Sequence, residues 1–428
     1  MLKFIKCKAL IDGTGRPPVQ DAAIVVRDNL IEQVGTASNV QAPPQAELID
    51  LQSMYVCPGL IDAHVHTSFN GEAEYWDIVL KQNTAYRVLT SLRNVNADLL
   101  AGFTCVRCLG EKDHLDIDLR NAINRGIVQG PRIVAAGQNI TVTGGHADVN
   151  LAIDITCPQG LGGVIVDGPI EVRKAVRQQI KAGADLVKLL VTGGVMSEAS
   201  VPGIQHMSFE EIAAAVEEAH RLGRKVAAHA QGTEGIKEAI RAGVDTIEHG
   251  HFLDQEAVDL MVERGVFYVP TFAAAYWMTV GEIAKRIPPY AARKAREASE
   301  AHARSFEMAR KAGVKIVCGT DAGSPGNRHG ANAVELELLV QHGMTPMEAL
   351  LSATRVASEC LCISQTVGTI EPGKLADLIA VEKNPLEDIR AFKEVRFVMK
   401  DGEIVKWTTG STSDVFDRQS PIYQPRLR

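Results

Sequence analysis

The run Pro58-Gly59-Leu60-Ile61-Asp62-Ala63-His64-Val65-His66 closes an apolar stretch with two histidines spaced i, i+2. On a β-strand that spacing puts both imidazoles on one face. Neutral imidazole is a common ligand for divalent transition metals. Alone, His-x-His is a weak signal. Four further strand-like runs carry a residue of matching chemistry. Lys188 sits inside Asp185-Leu-Val-Lys-Leu-Leu-Val, and His229 ends Arg224-Lys-Val-Ala-Ala-His. His249 ends Val244-Asp-Thr-Ile-Glu-His, and Asp321 ends Val314-Lys-Ile-Val-Cys-Gly-Thr-Asp. The ordered set His-x-His, Lys, His, His, Asp is hard to produce by chance and points to a metal centre.

Lys188 discriminates within this set. As an ammonium it has no lone pair and cannot bind metal. Inside an apolar strand its pKa falls, which exposes a neutral, nucleophilic amine. Reaction with carbon dioxide would give a carbamate whose two oxygens can bridge two cations. A lone lysine in such a run is better read as snorkelling to solvent or pairing with a carboxylate. In this ordered constellation the carbamate is the preferred reading.

These residues need strands that converge. From residue 58 onward, strand-like runs fall near 59–66, 102–108, 131–137, 185–191, 224–229, 244–249, 266–270 and 314–321, mostly separated by helical stretches. Ser208 and Glu211 form the sequence signature of a capping box before an amphipathic run that Gly223 ends. Gly232-Thr233 opens another helix that runs to Gly243, and a longer charged helix spans 291–311. Eight strands alternating with helices fit a (β/α)8 TIM barrel of class α/β. An open doubly wound sheet would hold its first and eighth strands too far apart to share a metal, so the ligand placement favours the barrel.

The chain ends read as short β runs with turn-rich links such as Asp401-Gly402. Neither end is large enough for its own core. Together, residues 1–57 and 366–410 are expected to form a small β-sandwich beside a barrel over 58–365, with a polar tail at 411–428.

The 428 residues carry a net charge of -7, which argues against a general nucleic-acid or membrane-surface role. No apolar run reaches membrane-spanning length and the N-terminus lacks a signal-peptide core, so a cytoplasmic location is the default expectation. The eight cysteines are dispersed. Cys105-Val-Arg-Cys108 is a CxxC without a second one, and these residues are read as core thiols.

At this point the chain resembles the amidohydrolase superfamily, in its imidazolonepropionase-like branch of metal-dependent peptidases and amidases. The resemblance rests on Pro58–His66, Thr143-Gly-Gly-His146-Ala-Asp, Val187-Lys188, His229-Ala, Ile247-Glu-His249-Gly, Gly319-Thr-Asp321 and Gly368-Thr-Ile-Glu-Pro-Gly-Lys-Leu-Ala-Asp-Leu. It is specific for the superfamily and much less so for a substrate. Xaa-Pro dipeptidases, carboxypeptidases releasing basic residues, ochratoxin-type amidases and phenylurea hydrolases look similar in this branch.

The resemblance implies two divalent ions, expected to be zinc. His64, His66 and Asp321 would hold one, and His229 and His249 the other. Lys188, as N6-carboxylysine, would bridge them. A water or hydroxide between the ions would attack the amide carbonyl, and Asp321 would take its proton and pass it to the leaving amine. His146 would polarise the carbonyl or orient substrate. Gln231 stands where Xaa-Pro dipeptidase relatives carry tyrosine, which puts direct transfer of that specificity in doubt. Gln231, His251 and Arg328 are candidate substrate contacts, Arg328 as a clamp for a carboxylate. The expected function is hydrolysis of an amide in a dipeptide or N-acyl amino acid. The alternatives are a non-peptide amide, carbamate, urea or cyclic amide, or a catalytically silent binding module. A homo-oligomer is also implied.

Overall fold

A computed structural model describes residues 1–73, 78, 80–148, 163–198 and 201–408. The expected tail at 411–428 lies outside the described residues. The N-terminal part supplies β1 (Leu2–Leu10), β2 (Val19–Arg27), β3 (Leu30–Thr36) and β4 (Glu47–Pro58). The middle supplies β5 (Leu60–Val65), β6 (Phe103–Cys108), β7 (Arg132–Ala135), β8 (Ile140–Thr141), β9 (Val164–Ile165), β10 (Leu186–Leu190), β11 (Lys225–Ala230), β12 (Thr246–His249) and β13 (Phe267–Val269). The C-terminal part adds β14 (Leu378–Val381), β15 (Phe397–Lys400) and β16 (Glu403–Trp407).

Both ends meet in one seven-stranded sheet of order β16-β15-β14-β4-β1-β2-β3. β14 pairs antiparallel with the end of β4, Leu378 opposite Pro58. Ile5, Ile24, Ile49 and Val56 from one end share a buried cluster with Leu378, Ala380, Phe397 and Met399 from the other. Asp401 and Gly402 both have positive φ, 50° and 77°, and link β15 to β16 in the expected hairpin.

The middle of the chain is mixed α/β with parallel sheets. One has the order β5-β6-β7, the other β13-β12-β11-β10-β8-β9. Seven of the eight expected runs contain a strand. The run at 314–321 does not: it makes only isolated bridges, Tyr268 with Ile316 and Val65 with Ala322. Its backbone reaches both ways nonetheless. Val317 N donates to Tyr268 O at 2.9 Å, and Asp321 N donates to His64 O at 2.7 Å. The ladder is irregular because other groups capture its N–H donors. Cys318 N goes to Ser352 O, and Thr320 N goes to the Asp62 carboxylate. β7 is also shorter than expected and does not pair with β10, so the two parallel sheets do not form one continuous ladder.

The helices follow from their caps. Ser208 and Glu211 make the full capping box at the start of the helix Phe209–Arg221, whose Ile212, Ala215, Val216 and Ala219 are buried. Gly243, at φ 99°, closes the helix Thr233–Ala242 on the Ala239 and Ile240 carbonyls. The helix Pro289–Lys311 buries Ala291, Ala295, Ala298 and His302 along one face. Cys105 and Cys108 point to opposite sides of β6, one packed with Ile61 and Cys360 and the other with Val65 and Val95, so they share no site. Both are free thiols. Among the described residues no helix is long and apolar enough to cross a membrane.

Candidate metal centre

The sequence candidates meet in one cleft, lined by His64, His66, Lys188, His229, His249 and Asp321. The donor atoms of His64, His66 and Asp321 lie within 4.8 Å of one another. Asp321 Oδ1 is 3.2 Å from His66 Nε2 and 3.6 Å from His64 Nε2. The His249 ring centroid is 5.0 Å from that of His64 and 4.6 Å from that of His229.

Hydrogen bonds set which nitrogen of each ring is left over. His64 Nδ1 donates to Glu248 Oε2 at 2.8 Å, and His66 Nδ1 donates to Gly110 O at 3.1 Å. Thr271 gives its own proton to Pro270 O, so its Oγ1 accepts from His249 Nδ1 at 2.7 Å. These three rings keep a lone pair on Nε2. His229 is the reverse: Nε2 donates to Gly193 O at 3.1 Å and Nδ1 carries the lone pair. A ring tied on one nitrogen and open on the other is how imidazole is prepared for a cation.

Burial keeps most of these rings neutral. It pushes His64 down to about 4 and holds His229 and His249 well below the usual imidazole range. His66 is different: burial opposes its charge, but Asp321 outweighs burial and raises its pKa. Lys188 is only 2% exposed, and burial brings its amine down to about 8, within reach of the neutral, nucleophilic form. Four imidazoles, one carboxylate and a desolvated amine fit divalent transition metals of the zinc type.

Beneath the rings lies a charged layer that sequence reasoning missed. Glu248, on β12, is fully buried and also accepts from Arg107 Nη2 at 2.8 Å and from Thr246. Arg107, on β6, donates in turn to Ala63 O. Asp62 accepts from His64 N, Thr320 N, Thr320 Oγ1 and Asn332 Nδ2, fastening β5 to the Asp321 segment. The available signal was a charged residue inside an apolar strand, the one already applied to Lys188. His249 and Asp321 both have left-handed backbone, φ 72° and 60°.

Of the substrate candidates, His146, Gln231 and His251 line the cleft. His146 stacks on His229 with centroids 4.5 Å apart, and its Nδ1 is 2.8 Å from Ser197 Oγ. Gly194 lies under this ring, where a Cβ would come within 2.3 Å of it. Gln231 is tied by its backbone to Thr192 Oγ1 and Phe252 N. Arg328 does not belong to the cleft. Its side chain is exposed, because the turn that follows Asp321 buries Asn327 and His329 and turns residue 328 outward.

Parallel strands that carry buried imidazoles and a carboxylate to one mouth define the arrangement of a metal-dependent hydrolase. The Amidohydrolase family model matches residues 55–405, and the chain belongs to that family, as an enzyme hydrolysing amide and peptide bonds. It is 34% identical to an ochratoxinase of Aspergillus niger over 425 residues, covering 93% of this chain and 85% of that protein. A Xaa-Pro dipeptidase crystallised with methionine in its active site is similar at 39% identity and a TM-score of 0.88, covering 95% of this chain and all of the other. A prolidase complexed with N-methylphosphonate-L-proline is similar at 32% identity and the same TM-score, with the same coverage.

Proposed function

We propose that this chain is a binuclear metal-dependent amidohydrolase that cleaves the amide bond of a dipeptide or an N-acyl amino acid. The observation that carries the reading is the convergence of four hydrogen-bond-oriented imidazoles, Asp321 and the desolvated Lys188 on one cleft. His64, His66 and Asp321 would hold one divalent ion and His229 and His249 the second, with carboxylated Lys188 between them. When bound, the ions supply an acidified water and polarise the amide carbonyl.

The rest of the chemistry belongs to side chains. Asp321 takes the proton of the attacking water and returns it to the leaving nitrogen; beside His66 and His64 its pKa stays low despite burial, so it is ready to accept. Ser197 Oγ accepts from Ala147 N at 3.2 Å and would give its proton to His146 Nδ1, 2.8 Å away. That leaves the Nε2–H of His146 to donate to the carbonyl oxygen of the substrate. Burial pushes His146 down to about 3, so it donates as a neutral ring.

The two parallel sheets are inferred to be arcs of one (β/α)8 barrel over 58–365. The irregular segment 315–322 would be its eighth strand, a reading supported by its hydrogen bonds to β13 and β5. Residues 1–57 and 366–410 would form the accessory β domain.

The test is metal analysis of zinc- and bicarbonate-supplemented protein, followed by a library of dipeptides and N-acyl amino acids. Two ions per chain and release of free amino acid are expected. Active enzyme without bound metal would refute the mechanism. The apolar wall of the cleft favours a non-peptide amide as the second reading. Turnover of such amides with no release from any dipeptide would select it.

A further inference from the structure

This inference rests on the amide-hydrolase reading and concerns what the cleft grips beside the scissile bond. Lys188 is the only lysine or arginine that lines it among the described residues. Of the segments outside the described residues, 74–77, 79, 149–162 and 199–200 contain no lysine or arginine in sequence, whereas 409–428 carries Arg418, Arg426 and Arg428. Arg328, the one guanidinium expected there, faces outward. Among the described residues the cleft therefore has no cationic side chain to clamp a terminal carboxylate once Lys188 is committed to the metal centre.

What it offers instead is uncharged. Gln231 is 3% exposed and His251 5% exposed, and both line the cleft. Among the described residues, Gln231 Oε1 and His251 Nδ1 have no hydrogen-bond partner. A buried polar atom without a partner costs about 1–3 kcal/mol, which a bound ligand would recover. The cleft wall also carries small apolar side chains. Ala295 and Ala298, i and i+3 on the helix Pro289–Lys311, stand beside Ala274 and Met278 of the helix Phe272–Thr279. Side chains this short leave width for a large apolar group.

We propose that the cleft recognises amides bearing an apolar side chain and an uncharged N–H-bearing group, the latter anchored by Gln231 and His251, and that a terminal carboxylate is not a recognition element. An amide oxygen accepts and does not donate, so Gln231 Oε1 as placed matches the N–H of a primary carboxamide, whereas a carboxylate would require the amide turned to present its NH2. The α-carboxylate of a dipeptide or N-acyl amino acid would be left to solvent. Its carboxamide counterpart would gain one hydrogen bond from a buried acceptor.

The test uses zinc-loaded full-length protein and two ketomethylene isosteres of N-acetylphenylalanine, one ending in a carboxylate and one in a primary carboxamide. A CH2 replaces the scissile nitrogen, so neither is cleaved and calorimetry reads binding alone. The carboxamide should bind about tenfold more tightly, the size of one well-placed hydrogen bond. Gln231→Ala, with unchanged metal content, should erase that difference, and Ala298→Leu should weaken both benzyl ligands while sparing their methyl analogues. A carboxylate bound more tightly than the carboxamide, or no binding of either, would overturn the proposal. Turnover of N-acetylphenylalanine and its amide is read separately. Isosteres that bind in the predicted order while no amide is cleaved would leave this recognition standing and remove the hydrolase reading.

Discussion

Replacing Glu248 with glutamine removes one charge and almost no volume. In the native layer Oε1 takes Arg107 Nη2 and Thr246, and Oε2 takes His64 Nδ1 at 2.8 Å. A glutamine keeps one oxygen for Arg107 and turns an NH2 toward His64. His64 Nδ1 must then accept, its proton moves to Nε2, and the lone pair needed for a cation is lost. Removing the carboxylate behind a ligating histidine typically costs about 10–100-fold in metal affinity.

The same change bears on folding. Burial alone would raise the Glu248 carboxyl, but Arg107 and His64 outweigh it and hold it at about 2, against an ordinary 4.5. A depression of that size is worth about 3 kcal/mol, present above pH 4.5 and lost as pH falls toward 2. Metal-free Glu248→Gln should therefore be less stable by about 3 kcal/mol in urea at pH 7, with the gap narrowing below pH 4. Zinc affinity is read by competition with a chromophoric chelator. A glutamine variant that binds zinc within threefold of the parent would refute the tautomer argument, whatever its stability.

Lys188→Ala should lose metal and activity, and short carboxylic acids should restore part of both; full metal content and undiminished activity without added acid would remove the carbamate. Asp321→Asn should lower kcat by about 100-fold or more on every substrate, the usual size of a general acid–base contribution; a change confined to KM would exclude Asp321 as the proton shuttle. Asp116 is fully buried, and burial, reinforced by Glu111, lifts its carboxyl to about 7. Because the folded state holds that proton, its share of stability is fully present below pH 3.8, is lost between there and pH 7, about 4 kcal/mol in all, and changes no further above 7. Urea midpoints between pH 5 and 7 should fall more steeply for the parent than for Asp116→Asn, and parallel slopes would show the carboxyl already ionised at pH 5.

The sequence exposed the parts of the site whose residue types are unusual at strand ends. His64, His66, His229, His249 and Asp321 interrupt apolar runs with ligand chemistry, and the period of the runs was enough to bring them together. The layer of Asp62, Arg107 and Glu248 was hidden because its logic is pairwise. Each looks like an ordinary charged residue until β5, β6 and β12, which belong to two different sheets, are brought together. The irregular segment 315–322 was illegible for a related reason. Its composition is that of a strand, but the side chain of Asp62 and the carbonyl of Ser352, remote in sequence, take its N–H groups. Arg328 lies exposed and outside the cleft lining because sequence reports proximity to Asp321 along the chain and says nothing of which way a turn faces.

The left-handed backbone at His249 and Asp321 has an evolutionary consequence. Non-glycine residues held there give up of order 1–3 kcal/mol each, and glycine would not. Drift toward greater stability would therefore favour glycine at the two positions where it destroys the site. On the proposed mechanism, Asp321 and His249 would be kept only while the reaction is selected, and a lineage that ceased to need the chemistry would be expected to lose these two residues before the buried scaffold beneath them.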